Sequence, residues 1–568
     1  MTGRSLSIGL RAVLAFGLMV GFYGMAIGIA ALLVYLPFAE LVYAGRLHLK
    51  LTILCFVGAV VIIAAIIPRR DSFKSPGPAV TPEHEPDLFA MIRQVAGATG
   101  QPMPANVYIV GDVNAWVARR GGVMGIGGRR VMGLGLPLLQ ALSVSELRAV
   151  LAHEFGHFHG GDTKIGRIAY QTRAAIMRTV ASLAERQSVL QIPFVSYAKL
   201  FLRVSHAISR YQEYAADRLA APIAGSRALA EGLKRIHGAS FAYERYWNDD
   251  LRPVLEAGYF PPVAEGFGRY LSGELGAALF NAGTDYAVKS DARDPYDTHP
   301  SLRERLAMLR GLPEKDVRAL EWALQSKPAI SLLKDVRALE WALIGHRLSA
   351  TAGHEPKPIG WDQVVQTVYL PAWATAAAKY SGPLVGRTMR DLAEQARPIA
   401  DTIGALMTRD VQGLLSEEER RRRGARVLGA ALATSLARAG WSVQALPGER
   451  VTTAGPFGRI EPFDIVNGLV TQSLDGPTWQ QRCTETGISD LELWSESSDL
   501  GDARKPSATT LLDLSAKRGK TPMGTRPAKT DQTVIKCWRC KEPLPFSEET
   551  RGTQVRCTKC GTKQALPK

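Results

Sequence analysis

The sequence predicts an α+β protein that is mostly helical, with a small sheet, an N-terminal helical hairpin and a small cysteine-rich module at the C-terminus. Three observations predict this organisation. Two long uncharged apolar runs lie near the N-terminus, short β-rich segments precede a capped helix, and two Cys-x-x-Cys pairs lie near the C-terminus. At 568 residues the chain is too long for one ordinary core, so we expect several domains.

The N-terminal hairpin is predicted to be transmembrane. Residues 12–39 contain no charged side chain, and residues 51–68 form a second uncharged run. A helix needs about 20 apolar residues to cross a bilayer core, so each run is long enough or nearly so. A buried core helix is the alternative for each run, but core helices are rarely apolar on every face. We therefore predict two transmembrane helices within residues 1–70.

The cations beside the two runs predict the orientation of the hairpin. Under the positive-inside rule, both ends of the hairpin face the cytoplasm and a short loop lies outside. This predicts a multi-pass protein of the inner (cytoplasmic) membrane, with everything after residue 70 in the cytoplasm. The flanking cations are Arg4, Arg11, Arg69, Arg70 and Lys74, against Arg46 and Lys50 in the loop.

A linker and a small sheet are predicted next. Residues 71–86 are rich in Pro, Ser and charge, which favours a linker. Leu88, Ile92 and Val95 recur at helical spacing within residues 87–97. Short segments rich in β-branched and aromatic residues then indicate strands. We expect these strands at residues 106–110, 113–117 and 131–136, with a glycine-rich hairpin turn at 121–128.

The next helix carries an HExxH motif. The helix is predicted to begin after Ser143, because Ser143 and Glu146 have capping-box spacing. His153 and His157 are four residues apart and project from one helix face, so both imidazoles can reach one Zn²⁺. Glu154 then lies where its carboxylate can take a proton from zinc-bound water, whose pKa zinc lowers to about 7. Two surface histidines on an ordinary helix are the alternative.

A catalytic zinc needs a third protein ligand and one open coordination position. Glu213 and Asp217 share one helix face, so Glu213 can bind the metal while Asp217 accepts a hydrogen bond from a ligand imidazole. Spacing alone also allows Glu213 to be a solvated helix carboxylate. The other candidate ligands downstream of the motif are His159, Asp162 and His206.

Two segments together resemble a known family. HEFGH at residues 153–157, followed by Ser-Arg-x-x-Glu-x-x-Ala-Asp at residues 209–217, resembles the HtpX-like membrane zinc metallopeptidases, relatives of the CAAX prenyl endopeptidases. The resemblance covers residues 10–345 and implies a mostly helical gluzincin-type zinc peptidase domain. It further implies that Glu213 is the third zinc ligand and that Asp217 orients a ligand imidazole.

The resemblance implies roles for two more residues. Asn114 and Ala115 match the family's edge strand, which pairs with the substrate backbone. His299, within Thr298-His299-Pro300, matches a late His-Pro element whose histidine can steady the oxyanion. A turn residue and a structural histidine are the ordinary interpretations of Asn114 and His299.

The chain departs from the family pattern in one respect. Bacterial members often carry two more membrane spans between the HExxH helix and the third ligand. The longest uncharged stretch in that interval here is residues 187–198, which is too short to span a bilayer. An interfacial or amphipathic segment fits such a stretch. We therefore expect two spans in this chain.

The late cysteines predict a second metal site. Cys537, Cys540, Cys557 and Cys560 have the spacing C-x2-C-x16-C-x2-C. This pattern is typical of a zinc ribbon, in which four thiolates close a tetrahedral structural site. It also suits a reducing compartment better than a disulfide framework does. Basic side chains around the ribbon permit nucleic-acid contact, but basic surface is common on ribbons, and we do not expect a nucleic-acid partner.

An internal repeat and the remaining composition complete the domain prediction. KDVRALEWAL occurs at residues 315–324 and again at 334–343, which indicates a local duplication of one amphipathic helix. We assign it no chemistry. The expected domains are a zinc metallopeptidase domain at 87–350, an accessory domain of unassigned role at 358–496, a flexible basic linker at 497–532 and the zinc ribbon at 533–568.

Taken together, the patterns predict a membrane-anchored zinc endopeptidase with one catalytic and one structural Zn²⁺. Its partners would be the membrane and protein or peptide substrates, and the resemblance implies misfolded or surplus membrane proteins as substrates. The alternative is a non-catalytic membrane scaffold that recruits a partner through its zinc ribbon. Glu154 favours the enzyme, because a dead enzyme has no physical need for a general base. Nothing in the sequence indicates the oligomeric state or the cleavage specificity.

Overall fold

The computed structural model describes residues 2–67, 73–121, 128–158, 172, 175–183, 191–290, 300–312, 326–348, 356–407, 415–494 and four short strands between 533 and 565. The chain divides into two compact units, residues 1–514 and residues 515–568. The described part of the first unit is mostly helical with small sheets, and this confirms the predicted balance of helix and strand.

Two long apolar helices, α1 (Thr2–Ala44) and α2 (Leu49–Ile66), open the chain. In the described part of the chain, the two segments long and apolar enough to cross a membrane are Phe16–Ala44 and Leu49–Ile66. Only 28% of the most apolar window in each segment is buried. A core helix of a soluble protein is buried on most of its faces, so this exposure favours a hairpin that faces lipid.

A four-stranded sheet follows the hairpin. Its strands are β1 (Ala79–Val80), β2 (Asn106–Val110), β3 (Ala115–Arg120) and β4 (Arg129–Gly135), in the spatial order β1-β2-β4-β3. β2 and β4 are parallel, whereas β1 pairs with β2 and β3 pairs with β4 in antiparallel fashion. This order leaves β3 at one edge of the sheet.

Two predictions for this region need correction. Residues 71–86, a predicted linker, contain β1, in which Val80 pairs with Val107. Pro and Ser indicate irregular backbone but do not exclude so short a pairing. The strand predicted to end at Val117 continues to Arg120, because backbone pairing with β4 persists after the apolar pattern stops.

Helices supply most of the remaining structure up to residue 348. One apolar core joins the sheet to helices that come before and after it in the chain. The last of these helices is the second copy of the repeat, and the first copy lies outside the described residues. The helices are α3 (Pro86–Ala98), α4 (Leu136–Ala141), α5 (Val144–Gly156), α6 (Gln191–Ala224), α7 (Ser226–Tyr246), α8 (Arg252–Glu256), α9 (Val263–Ser272), α10 (Glu274–Lys289), α11 (Leu302–Arg310) and α12 (Val336–Leu348).

The first half of α6 packs against the apolar hairpin. Phe194 of α6 is fully buried and meets Phe22 of α1 edge-on, with ring centroids 6.3 Å apart. The Tyr197 hydroxyl donates a hydrogen bond to the Leu18 carbonyl at 2.5 Å. A short helical stretch at residues 175–183 joins the same apolar cluster. The uncharged stretch at 187–198 is too short to span a membrane alone. From residue 191 onwards it forms the start of the long helix α6.

Residues after 356 contribute to two apolar clusters. An apolar cluster joins Tyr246 and Phe267 of the preceding helices to Trp361 and Val443. A second cluster lies wholly within residues 377–493, and the domain boundary near residue 358 stays a prediction. The elements are β5 (Tyr259–Phe260) paired with β6 (Lys357–Pro358), α13 (Trp361–Val364), α14 (Leu370–Lys379), α15 (Leu392–Met407), α16 (Glu417–Arg438), β7 (Ser442–Gln444), β8 (Thr452–Gly455), β9 (Gly458–Ile460), α17 (Pro462–Thr471) and α18 (Gly476–Glu485).

The second unit contains two short antiparallel hairpins. β10 (Thr533–Lys536) pairs with β11 (Pro543–Phe546), and β12 (Gln554–Arg556) pairs with β13 (Lys563–Ala565). Each Cys-x-x-Cys pair falls in the connection of one hairpin. The four cysteines themselves lie outside the described residues, so the zinc ribbon stays a prediction.

Candidate metal centre

Helix α5 presents the HExxH motif from a well-defined start. Ser143 accepts a hydrogen bond from the Glu146 amide at 3.3 Å, and the Glu146 carboxylate accepts one from the Ser143 amide at 2.7 Å. This is the predicted capping box, and it satisfies two amides at the helix start. His153 lies buried in the last turn, and His157 follows directly after the helix end. The two imidazole rings are 4.8 Å apart and nearly perpendicular.

Helix α6 brings the second predicted segment against this turn. A Cβ added to Gly156 would lie 3.0 Å from the Ala216 Cα, so the two backbones approach as closely as glycine allows. Glu213 and Asp217 lie on either side of this contact along α6, and both are buried. Glycine in HEFGH and alanine in the later segment therefore set the spacing between the histidines and the carboxylates.

The Glu213 carboxylate reaches both histidines. Its Oε2 lies 3.4 Å from His153 Nε2, and its Oε1 lies 3.8 Å from His157 Nε2. Two ligand atoms of a tetrahedral zinc with bonds near 2.0 Å are about 3.3 Å apart. The separations therefore fit three ligands that converge on one ion. Ligand atoms of His153, Glu154 and His157 also lie within 4.8 Å of one another. Of these two glutamates, Glu213 has the carboxylate with one oxygen near each of the two Nε2 atoms, so ligation by Glu213 stays the prediction.

Asp217 contacts the His153 imidazole at Nδ1, the ring nitrogen that does not face Glu213. Its Oδ1 lies 2.9 Å from His153 Nδ1. A carboxylate only accepts hydrogen bonds, so Nδ1 carries a proton towards Asp217, and Nε2 is the ring nitrogen that faces Glu213. A carboxylate behind a ligating histidine fixes the ring orientation and makes the imidazole a better donor to the metal.

Arg305 of α11 completes this buried network. Its Nη2 and Nε donate to Oδ1 and Oδ2 of Asp217 at 2.6 and 2.9 Å, and its Nη1 lies 3.4 Å from Glu213 Oε2. No role for Arg305 follows from the sequence alone. The available signal is a second capping box, Ser301 with Glu304, which begins α11 directly before it.

Charges in the network shift the titration of its members. Burial lowers the pKa of His153, but hydrogen bonds to Asp217 and Glu213 outweigh burial and raise it to about 9. Burial raises the pKa of Asp217, but hydrogen bonds from His153 and Arg305 bring it below its usual value. Without a metal, a proton therefore occupies the place that a cation would take beside Glu213.

The remaining predicted residues have mixed outcomes. Asn114 is exposed directly before edge strand β3, and its carbonyl accepts a hydrogen bond from the Gly135 amide at 2.8 Å. The edge position predicted for this segment is confirmed, whereas contact with substrate stays a prediction. His299 lies outside the described residues, as do the four ribbon cysteines, so their roles also stay predictions.

Comparisons with known proteins show similarity to one family of proteases. The sequence profile of Peptidase family M48 matches residues 82–312. Protease HtpX homolog 2 of Methanosarcina mazei is 28% identical over 307 residues, which covers 50% of this chain and 91% of that protein. The HtpX homolog of Acidiphilium cryptum is 32% identical over 254 residues, or 41% of this chain and 76% of its own length. No solved structure matches the chain.

Proposed function

The chain belongs to the HtpX-like group of Peptidase family M48, and from that premise we propose that it is a membrane-anchored zinc endopeptidase. The observation that carries the proposal is the convergence of His153, His157 and Glu213, from two helices, at separations that suit one tetrahedral ion. These three side chains would hold a catalytic zinc. When bound, zinc supplies a polarised water with a pKa near 7.

Glu154 is the proposed general base. It adjoins His153 on the last turn of α5 and is half-buried, so its carboxylate is available to a reactant. Glu154 takes a proton from the attacking water and passes it to the leaving amine after the peptide bond breaks. The proton leaves with the amine product, so the Glu154 carboxylate is ionised again at the end of each cycle.

Asp217 and Arg305 position the ligands and do not touch the reactants. Asp217 keeps the His153 proton on Nδ1, and Arg305 balances the two buried carboxylates of Glu213 and Asp217. A carboxylate left buried without a partner costs several kcal/mol, so the guanidinium stabilises the site as a unit.

The substrate would bind as an extended chain along the free edge of β3. Edge strands offer unpaired backbone groups to an incoming strand. The edge strand β3 begins at Ala115, directly after Asn114. Asn114 would contact the substrate backbone at the start of this edge. His299, from the late His-Pro element, is the proposed oxyanion donor, in keeping with the family resemblance.

The apolar hairpin would anchor the protease in the inner membrane, with the catalytic domain in the cytoplasm. The supporting features are the exposure of α1 and α2 and the cations that flank them. Misfolded or surplus membrane proteins are the proposed substrates, in a quality-control role. Residues 533–568 would form a zinc ribbon on a second, structural zinc, tethered by the basic linker at 497–532.

Glu154→Gln tests the mechanism. The amide keeps the size of the side chain but cannot take a proton, so zinc content should stay at the wild-type level while peptide hydrolysis falls about 10²- to 10⁴-fold. Glu244→Gln, an exposed change on α7, is the control and should leave both unchanged. Hydrolysis that survives Glu154→Gln at the wild-type rate would reject this general base, whereas a wild-type protein that cleaves no peptide would leave the scaffold alternative.

A further inference from the structure

The hairpin of β3 and β4 carries an unusual concentration of positive charge. Arg119 lies opposite Arg130, and Arg120 lies opposite Arg129, as two cross-strand pairs of like charge. The sequence from Ala115 to Gly135 contains no acidic residue. Like charges directly opposite each other destabilise a strand pair, so the fold alone gives no reason for this arrangement.

Three of these four arginines have no acidic partner among the residues that the structure describes. Within the described residues, Arg119 and Arg129 are exposed and make no ion pair. Arg130 donates only to neutral acceptors, the Gln101 side chain at 3.3 Å and the Pro102 carbonyl at 3.2 Å. Burial, and then repulsion from Arg119, lower the pKa of Arg130. The hairpin therefore presents a field that an anionic partner would stabilise.

The two arginine pairs lie on opposite faces of the hairpin. Side chains alternate along a strand, and Val117 with its partner Met132 contacts the apolar core on the α5 side of the sheet. Arg119 and Arg130 are two residues away from that pair and share its face. Arg120 and Arg129 therefore occupy the other face.

The first pair lies beside the metal centre. The Arg130 guanidinium lies 4.3 Å from the ring centroid of Phe158, and Phe158 directly follows His157. Arg119 is on the same face, and its strand is an edge strand of the sheet among the residues that the structure describes. A peptide that pairs with this edge places one residue directly opposite Arg119, about 5 Å away and on the same face.

We propose that Arg119, reinforced by Arg130, forms a subsite that selects substrates with an Asp or Glu side chain at one position near the scissile bond. The inference rests on the proposed peptidase function and adds a substrate preference to it. Anionic lipid headgroups also bind arginines. A membrane contact would depend on both arginine pairs, whereas a substrate subsite would depend only on the pair beside the metal centre.

The experiment uses the full-length protein in neutral detergent and sets of peptides that differ only by Glu, Gln or Lys at each position around the cleaved bond. A cross-strand charge pair changes affinity up to about fivefold. We expect Glu to exceed Gln by up to about fivefold in kcat/KM at one position, mainly through KM, and 0.5 M salt to reduce the preference.

Charge reversal at two matched sites locates the effect. Arg119→Glu should invert the preference, so that the Lys peptide is cut faster than the Glu peptide. Arg129→Glu makes the same charge change on the other face and should keep the wild-type preference. Cleavage of the Gln peptide in both variants verifies that each is folded and active.

Three outcomes overturn the inference, and each is distinct from a failure of the peptidase proposal. One is a wild-type enzyme that cuts Gln and Glu peptides equally. The second is an equal loss of preference in both variants. The third is a preference for the Glu peptide that is absent in neutral detergent, arises only when anionic vesicles are added, and changes equally in both variants. That result would indicate a membrane contact. If the wild-type protein cuts no peptide of the set, the proposed function itself has failed.

Discussion

Arg305 and Asp217 form a buried, two-pronged ion pair across 88 residues of sequence, with Nη2–Oδ1 at 2.6 Å and Nε–Oδ2 at 2.9 Å. Asp217 in turn contacts His153 Nδ1 at 2.9 Å. The orientation of a metal-binding imidazole therefore depends on a guanidinium from another helix. The pair ties α11 to α6 and thereby links the far end of the catalytic region to its metal centre.

Arg305→Ala should weaken zinc binding about 10- to 100-fold, because it leaves Asp217 buried without its cation and frees the His153 ring. Arg305→Lys should restore little, since an ammonium cannot bind both carboxylate oxygens in a planar fork. Zinc retained against a graded chelator series measures the effect. Arg310→Ala, an exposed change on the same helix, should behave as wild type. Equal zinc retention in Arg305→Ala and Arg310→Ala would contradict the positioning role.

Glu213→Ala should remove the catalytic zinc and abolish hydrolysis, because the two histidines alone leave the ion with half of its coordination. Metal analysis should then give one zinc per chain instead of two. Glu244→Ala, an exposed glutamate on the next helix, should keep both metals. A Glu213→Ala protein that still holds two zincs and cleaves peptide would show that another side chain is the third ligand.

Gly156→Ala should lower zinc affinity although it changes no ligand. The added methyl group would lie 3.0 Å from the Ala216 Cα, so α5 and α6 must separate and His157 must move away from Glu213. Overpacking of this kind costs about 1–3 kcal/mol, equivalent to roughly a 5- to 150-fold loss in affinity if it acts entirely on the metal site. Gly97→Ala on α3, where an added Cβ meets no atom within 4 Å, is the matched control. Similar zinc affinities for the two variants would argue against the close helix contact.

The cysteines should fall into two reactive classes. Cys55 and Cys483 are buried free thiols, and burial raises the pKa of Cys483 to about 12. Neither should react with a thiol reagent at pH 8 before denaturation, because both are buried, and the raised pKa of Cys483 further lowers the amount of its reactive thiolate. A strong chelator should expose four further thiols as the ribbon zinc leaves. If chelation releases no thiols, the late cysteines do not hold a metal.

Local chemistry made much of this site predictable from sequence. The capping box at Ser143 and the four-residue spacing of His153 and His157 depend only on helix geometry, and both agree with the structure. Glu213 lies 56 residues after His157, and no short-range rule connects them. Its selection required the family resemblance, and the distances between Glu213 and both histidines are consistent with that choice.

Features that depend on tertiary contact were not predictable. A buried arginine has no sequence pattern that separates it from a surface one, so no role for Arg305 follows from the sequence. The pairing of Val80 with Val107 joins two distant segments, and the Pro-rich composition around Val80 does not predict a strand. Near residue 358 a change in composition suggested a boundary, and the packing of Trp361 with Tyr246 in one apolar cluster is visible only in the fold.

The single helix α6 carries Phe201 in the apolar cluster at the hairpin and Glu213 twelve residues later at the metal centre. A helix rises 1.5 Å per residue, so the Glu213 carboxylate lies about 18 Å along the helix from Phe201. With α6 along the membrane normal and Phe201 at the lipid surface, a polypeptide leaving the same bilayer would have to extend by about six residues to bring a bond to Glu213. Tight loops that hug the lipid surface would stay out of reach, and frayed or unfolded segments would be cut first.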